Sequence, residues 1–183
     1  MTKEPEEIQM TGEREPIKEV SLRDHTHRGI VSPKINTNNL ARGKETRIRY
    51  SLGTNQSISH NTATKLNINT KTYDDRGEFD TTNYRFIPNQ EGYYLVIGNV
   101  RWAAGDDNGA EFSAYLYKNG SKISHDSRCS TNYQPISNQI IDLVYLDTDD
   151  YIELYCEQDS GDSINASAGS ALTYLSIIKL FPK

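Results

Sequence analysis

The chain has 183 residues, enough for one domain of ordinary size with an extension. Hydrophobic residues make up 35% and the formal net charge is −5, a balance that suits a sandwich with much polar surface and a polar tail. That charge, without any basic stripe interleaved with aromatics, argues against nucleic-acid binding, and no apolar run is long enough to cross a bilayer.

Residues 1–20, MTKEPEEIQMTGEREPIKEV, are rich in Glu, Lys and Pro and have the composition of a disordered segment. They lack the apolar centre of a secretory leader. The expectation is therefore either a leader already removed or release by another route, such as lysis during virus release. Residues 21–44 stay polar, with isolated Leu22, Ile30, Val31, Ile35 and Leu40. These are too sparse for a core of their own but adequate to anchor an extended chain on a partner. Residues 1–45 are accordingly read as a mostly irregular N-terminal attachment arm. Neither a heptad pattern nor a Gly-X-Y repeat is present.

Within the arm, Asp24-His25-Thr26-His27 holds the one metal-ligand pattern of interest. In an extended strand His25 and His27 point to the same side. Three chains meeting on an axis there supply six imidazoles, a set for a transition-metal ion. The alternative is a polar linker whose histidines do nothing. No other cofactor is expected.

From Thr46 the chain reads as short strands. RIRYSL and TKLNINT alternate apolar and polar residues between Gly, Asn and Ser. Phe79 and Phe86 bracket a polar connector, and Pro88 to Gly92 forms a turn. Tyr93 to Trp102 carries apolar groups at both parities, which predicts a strand buried on each side. Asp106 to Gly109 supplies turn formers, and Asn119-Gly120 joins FSAYLY to SKIS by the strongest short hairpin signal. QIIDLVYL at 139–146 and DYIELYC at 150–156 flank Asp147-Thr148-Asp149, and ALTYLSIIKLF closes the chain. Turn signals every eight to twelve residues and no convincing helix predict an all-β sandwich. Cys129 and Cys156 sit in strand-like surroundings, as buried small hydrophobes or as a bridge between neighbouring strands.

Chemistry of catalysis is not visible. Ser, His and Asp occur without a nucleophile-elbow setting, and His60 and His125 lie in polar connectors. The Asp-rich turns hold too few adjacent oxygens for calcium, and hairpin formation explains them. No enzyme activity is expected.

The aromatic spacing resembles that of the globular head of complement C1q and its relatives. In that family an aromatic is followed by a second Phe, then Gly-x-Tyr, then alternating large residues. Phe79, Phe86, Gly92 and Tyr94 fall at that spacing, and Asp74 stands where Asn or Asp is usual. Leu116 to Gly120 reproduces a Leu-x-Lys-Asn-Gly turn, while Ile68, Val96, Gly98 and Asp149 depart from the pattern. The resemblance implies a jelly-roll sandwich of the C1q and tumour necrosis factor type over residues 46–183, assembled as a homotrimer. Phe79, Phe86, Tyr94, Val96, Trp102, Tyr115, Leu116 and Tyr174 then fill the sandwich or line the three-fold interface. The expected function is structural and adhesive: a trimeric knob on a virion surface, as in a phage head fibre, decoration protein or tail-fibre component. Its arm would dock on a capsid or tail protein, and its loops would bind a host receptor or glycan. The alternative is a secreted soluble ligand or lectin of the same class.

Overall fold

The computed structural model describes residues 45–103, 109–131 and 134–182, all within one compact unit, Arg42–Lys183. Thirteen strands occur among them: β1 (Arg47–Leu52), β2 (Gln56–Ile58), β3 (Thr64–Lys65), β4 (Ile68–Asp74), β5 (Phe79–Asp80), β6 (Arg85–Phe86), β7 (Gly92–Arg101), β8 (Glu111–Lys118), β9 (Ser121–Cys129), β10 (Ser137–Leu146), β11 (Ile152–Gln158), β12 (Ile164–Ala166) and β13 (Tyr174–Phe181). No described residue is helical. One sheet runs β10-β7-β13-β1-β4 and the other β5-β6-β11-β8-β9, with β3 added to β11. A two-stranded ribbon, β2 with β12, completes the antiparallel architecture, so the expected all-β sandwich is present.

Alternation along the strands builds the core. Tyr94, Val96 and Val100 of β7, Ile48 and Tyr50 of β1, and Leu175 and Ile177 of β13 point inward from the first sheet. Phe112, Ala114 and Leu116 of β8 and Ile152, Leu154 and Cys156 of β11 meet them from the second. Gly98 is needed at one close approach: a Cβ there would stand 2.8 Å from Leu154 Cδ1. The departure from an aromatic at this position thus makes room for the leucines of the opposite sheet.

A buried polar node ties the sheets together. Trp102 Nε1 donates to Asn138 Oδ1 (2.8 Å), and Asn138 Nδ2 donates to the carbonyls of Phe112 (2.9 Å) and Asp126 (3.1 Å). Both residues are fully buried, so each donor and acceptor is satisfied internally. Asp74 performs a similar task for the connector before β5. Its carboxylate accepts the amides of Arg76, Gly77, Glu78 and Phe79 and the Tyr50 hydroxyl. The Asn119-Gly120 turn has positive φ at both residues, 52° and 76°, as a tight hairpin requires.

Three expectations are corrected. TKLNINT is two strands, because the chain changes sheet at Leu66: β3 pairs with β11, whereas β4 pairs with β1. Only the even-numbered face of β7 is buried along its whole length; on the other face Tyr93 is exposed, Leu95 and Ile97 are half-buried and Asn99 is buried. Cys129 is exposed at the end of an edge strand, and only Cys156 is a buried small hydrophobe; both are free thiols. Burial pushes the Cys156 thiol far up from its ordinary range, which makes it inert.

Candidate functional site: an apolar sheet face

Among the described residues, the outward face of the five-stranded sheet is an unusually apolar surface. Register sets its side chains in rows. Leu143, Leu95 and Ile178 lie side by side across β10, β7 and β13, as do Ile141, Ile97 and Ser176. Tyr145, Tyr93 and Phe181 form the next row, with Tyr93 and Tyr145 edge to face at 5.3 Å. Ile141 is 60% exposed, Leu143 53% and Phe181 58%. Single exposed apolar residues are ordinary, but a contiguous patch spanning three strands marks an interaction surface.

The patch has polar margins. On the β1 side the Arg49 guanidinium stacks 3.6 Å over the Tyr174 ring and donates to the Ser170 carbonyl (2.8 Å). At the far corner the Tyr145 hydroxyl lies 3.1 Å from a Glu91 carboxylate oxygen and 3.0 Å from one of Asp147. This layout, apolar at the centre and charged at the rim, is that of a protein–protein interface.

The outward face of the six-stranded sheet contrasts with it. Tyr117 and Tyr155 stack at 4.3 Å, and Lys122 Nζ sits 3.5 Å over the Tyr115 ring. The Tyr115 hydroxyl donates to Glu157 (3.1 Å), and Lys65 pairs with Glu153 (2.9 Å). Burial is the main reason that the Tyr115 and Tyr155 hydroxyls titrate above their ordinary value. A shallow depression at the end of this face is bordered by Asn61, Glu111, Tyr115, Glu157 and Asp159. Among the described residues no three His, Cys, Asp or Glu side chains converge in a metal-binding arrangement.

The residues singled out in the sequence separate into three places. Phe79, Phe86, Tyr94, Val96, Trp102 and Leu116 lie between the sheets. Tyr94 is fully enclosed; its hydroxyl donates to the Gln90 carbonyl, and burial pushes its pKa up to about 12. Tyr115 faces outward on the six-stranded sheet, and Tyr174 faces outward on the five-stranded one. His25, His27 and the arm residues Leu22, Ile30, Val31, Ile35 and Leu40 lie outside the described residues. The apolar patch itself rests on Tyr93, Leu95, Ile97, Ile141 and Leu143, which the sequence reading passed over, and on Ile178 and Phe181 of the closing strand, whose family counterpart the resemblance places in the trimer core. A signal for them existed, since QIIDLVYL and GYYLVIG are apolar at odd as well as even positions.

No protein-family model and no curated protein matches this chain. Solved structures do. Eiger TNF from S. frugiperda superposes with a TM-score of 0.60 at 12% identity, covering 76% of this chain and 94% of that one. Murine APRIL gives 0.57 at 13% identity over 75% of this chain and all (100%) of its own. The globular domain of the zebrafish complement 1qA protein gives 0.52 at 10% identity, covering 75% and 99%. At such identities the likeness concerns the fold alone. The described domain has the jelly-roll fold found in tumour necrosis factor and C1q globular domains.

Proposed function

We propose that this chain is a self-associating, non-enzymatic binding module: a homotrimeric knob displayed on a virion surface. It attaches to a capsid or tail protein through residues 1–45 and presents its loops and outer sheet to a host receptor or glycan. The observation that carries the self-association is the apolar patch on the five-stranded sheet. Burying each large side chain of this kind contributes about 1.5–3 kcal/mol, and several meeting around one axis make association favourable. The patch runs to the β10 edge on one side and reaches the Arg49–Tyr174 stack on the other, so its two margins differ. Unlike margins suit a head-to-tail contact, which generates a ring where its rotation closes, as a trimer requires. The six-stranded sheet then remains outside, free for recognition, and three copies supply multivalency.

The second reading, a secreted ligand or lectin, is favoured by the fold neighbours, which include tumour necrosis factor and complement domains. Sedimentation of the full chain tests the first step: a mass of three subunits is expected, and a stable single subunit would overturn it. Measuring that mass with and without a chelator tests His25 and His27 as a shared metal site. Immunogold labelling of intact particles tests the setting, with label on the virion expected. Label confined to the soluble fraction would favour the secreted ligand.

A further inference from the structure

The two margins of the apolar patch each carry a charge that its own subunit leaves without a counter-charge. On β1, Arg49 faces outward and is half-buried; its guanidinium stacks 3.6 Å over the Tyr174 ring and donates to the Ser170 carbonyl (2.8 Å). Among the described residues no carboxylate comes within ion-pair reach of it. Arg47, on the same face, differs, since its Nε donates to Asp75 at 2.6 Å. At the opposite margin, edge strand β10 carries Asp142, whose carboxylate accepts the Leu143 amide (2.8 Å). Its parity is that of buried Val96, yet at the sheet edge Asp142 stays half-buried, and among the described residues no cation pairs with it.

These two charges do not meet inside one subunit. β7 and β13 lie between β10 and β1, so three strand spacings separate them, roughly 14 Å at about 4.8 Å each. They do share a height. Arg49 pairs in register with Ser176, Ser176 with Ile97, and Ile97 with Ile141, the residue beside Asp142. The offset along the strands is therefore one residue, roughly 3 Å. The other acids of that margin, Glu91 and Asp147, gather at Tyr145, four residues from Ile141, or roughly 13 Å away along β10. There the Tyr145 hydroxyl already engages both.

We infer, resting on the homotrimer proposed above, that Arg49 forms an ion pair with Asp142 of a second copy at each contact of the ring. Rotation about a three-fold axis leaves height along that axis unchanged. With the strands running along the axis, β10 of one copy meets the β1 side of the next, and groups of equal height come together. A charge at the margin of an apolar contact loses water as the contact closes, and without a partner it opposes closure. Pairing across the margin removes that penalty and fixes the register of edge against sheet, because few alignments join the two charges. The stack on Tyr174 holds the guanidinium before assembly, so less freedom is lost on pairing.

Charge exchange tests the pair, read by sedimentation of the full chain over a concentration series. Arg49→Asp and Asp142→Arg each set like charges together and should raise the concentration of half-dissociation at least about tenfold, with a native circular dichroism spectrum. Combining them should return it to within about threefold of wild type. The two positions are out of reach within a subunit, so recovery reports a contact between copies. Where a reversal misfolds, Arg49→Gln and Asp142→Asn give the same comparison: the double variant should be no weaker than either single one. Single variants that assemble like wild type, or a combination that recovers nothing, overturn the pair while leaving the trimer. A wild type that stays a single subunit overturns the trimer itself, and the pair with it.

Discussion

Both sheets of this sandwich turn one face outward, yet the two faces are dressed for different surroundings. On the six-stranded sheet outward-facing rings meet polar companions: Tyr115 has Glu157 and Lys122, and nearby Arg85 sits 4.7 Å over the Tyr151 ring. On the five-stranded sheet Ile141, Leu143 and Phe181 have none, and their neighbours in register are Ile97, Leu95 and Tyr93. The difference teaches that outward is not the same as wet. A face whose rows are apolar across three adjacent strands is an unfinished core, whereas tyrosines capped by charge are a finished surface.

The most damaging way to probe this contrast is to remove what the two faces share. Trp102→Ala empties the space between the sheets and strands the Asn138 amide, and should destabilise the fold by about 3–5 kcal/mol in denaturant titration. Next comes the apolar face alone. Leu143→Asp should leave the circular dichroism spectrum native while the sedimenting mass falls to that of one chain, a loss of about 2–3 kcal/mol per contact. Ser127→Asp on the other sheet should leave the mass unchanged; if both variants dissociate, or neither does, the two faces are not functionally distinct. A smaller effect belongs to the finished surface. Tyr155→Ala removes the stack with Tyr117 and should cost about 1 kcal/mol in thermal stability without altering the mass.

The smallest effect is an acid limb in the stability profile. Burial alone would raise the Asp150 carboxyl. Hydrogen bonds from Lys118, the Asp147 amide and Asn119 outweigh that and hold it below the ordinary carboxylate range. A depressed folded-state value means the contribution is complete above the unfolded value, near 4, and is lost as pH falls through the folded one. Thermal melts of Asp150→Asn should therefore show a shallower decline than wild type below about pH 4, and identical slopes would remove Asp150 as the cause.

Much of the fold was legible before any coordinates. Asn119-Gly120 is a tight hairpin, Asp147 to Asp150 is a turn closed by the Asp150 amide, and the spacing of Phe79, Phe86 and Tyr94 places three rings between the sheets. These features are local, or depend on a parity of two that any pleated strand obeys. Less legible was which outward face stays dry. Tyr94, Val96 and Trp102 attracted attention because they are large and share one parity, and that parity is the enclosed one. The other parity of β7 acquires meaning only beside β10 and β13, and pairing partners distant in the chain leave no trace in either strand's own residues.

The amino-acid order by itself determined the strands, their turns and the side of each strand that seeks apolar company, because backbone sterics and alternation act within a few residues. Tertiary structure alone decided that Leu143, Leu95 and Ile178 form one row, that Gly98 yields to Leu154, and that His60 reaches Gly161. Each of those depends on register between segments tens of residues apart, and register is set by the whole core closing at once.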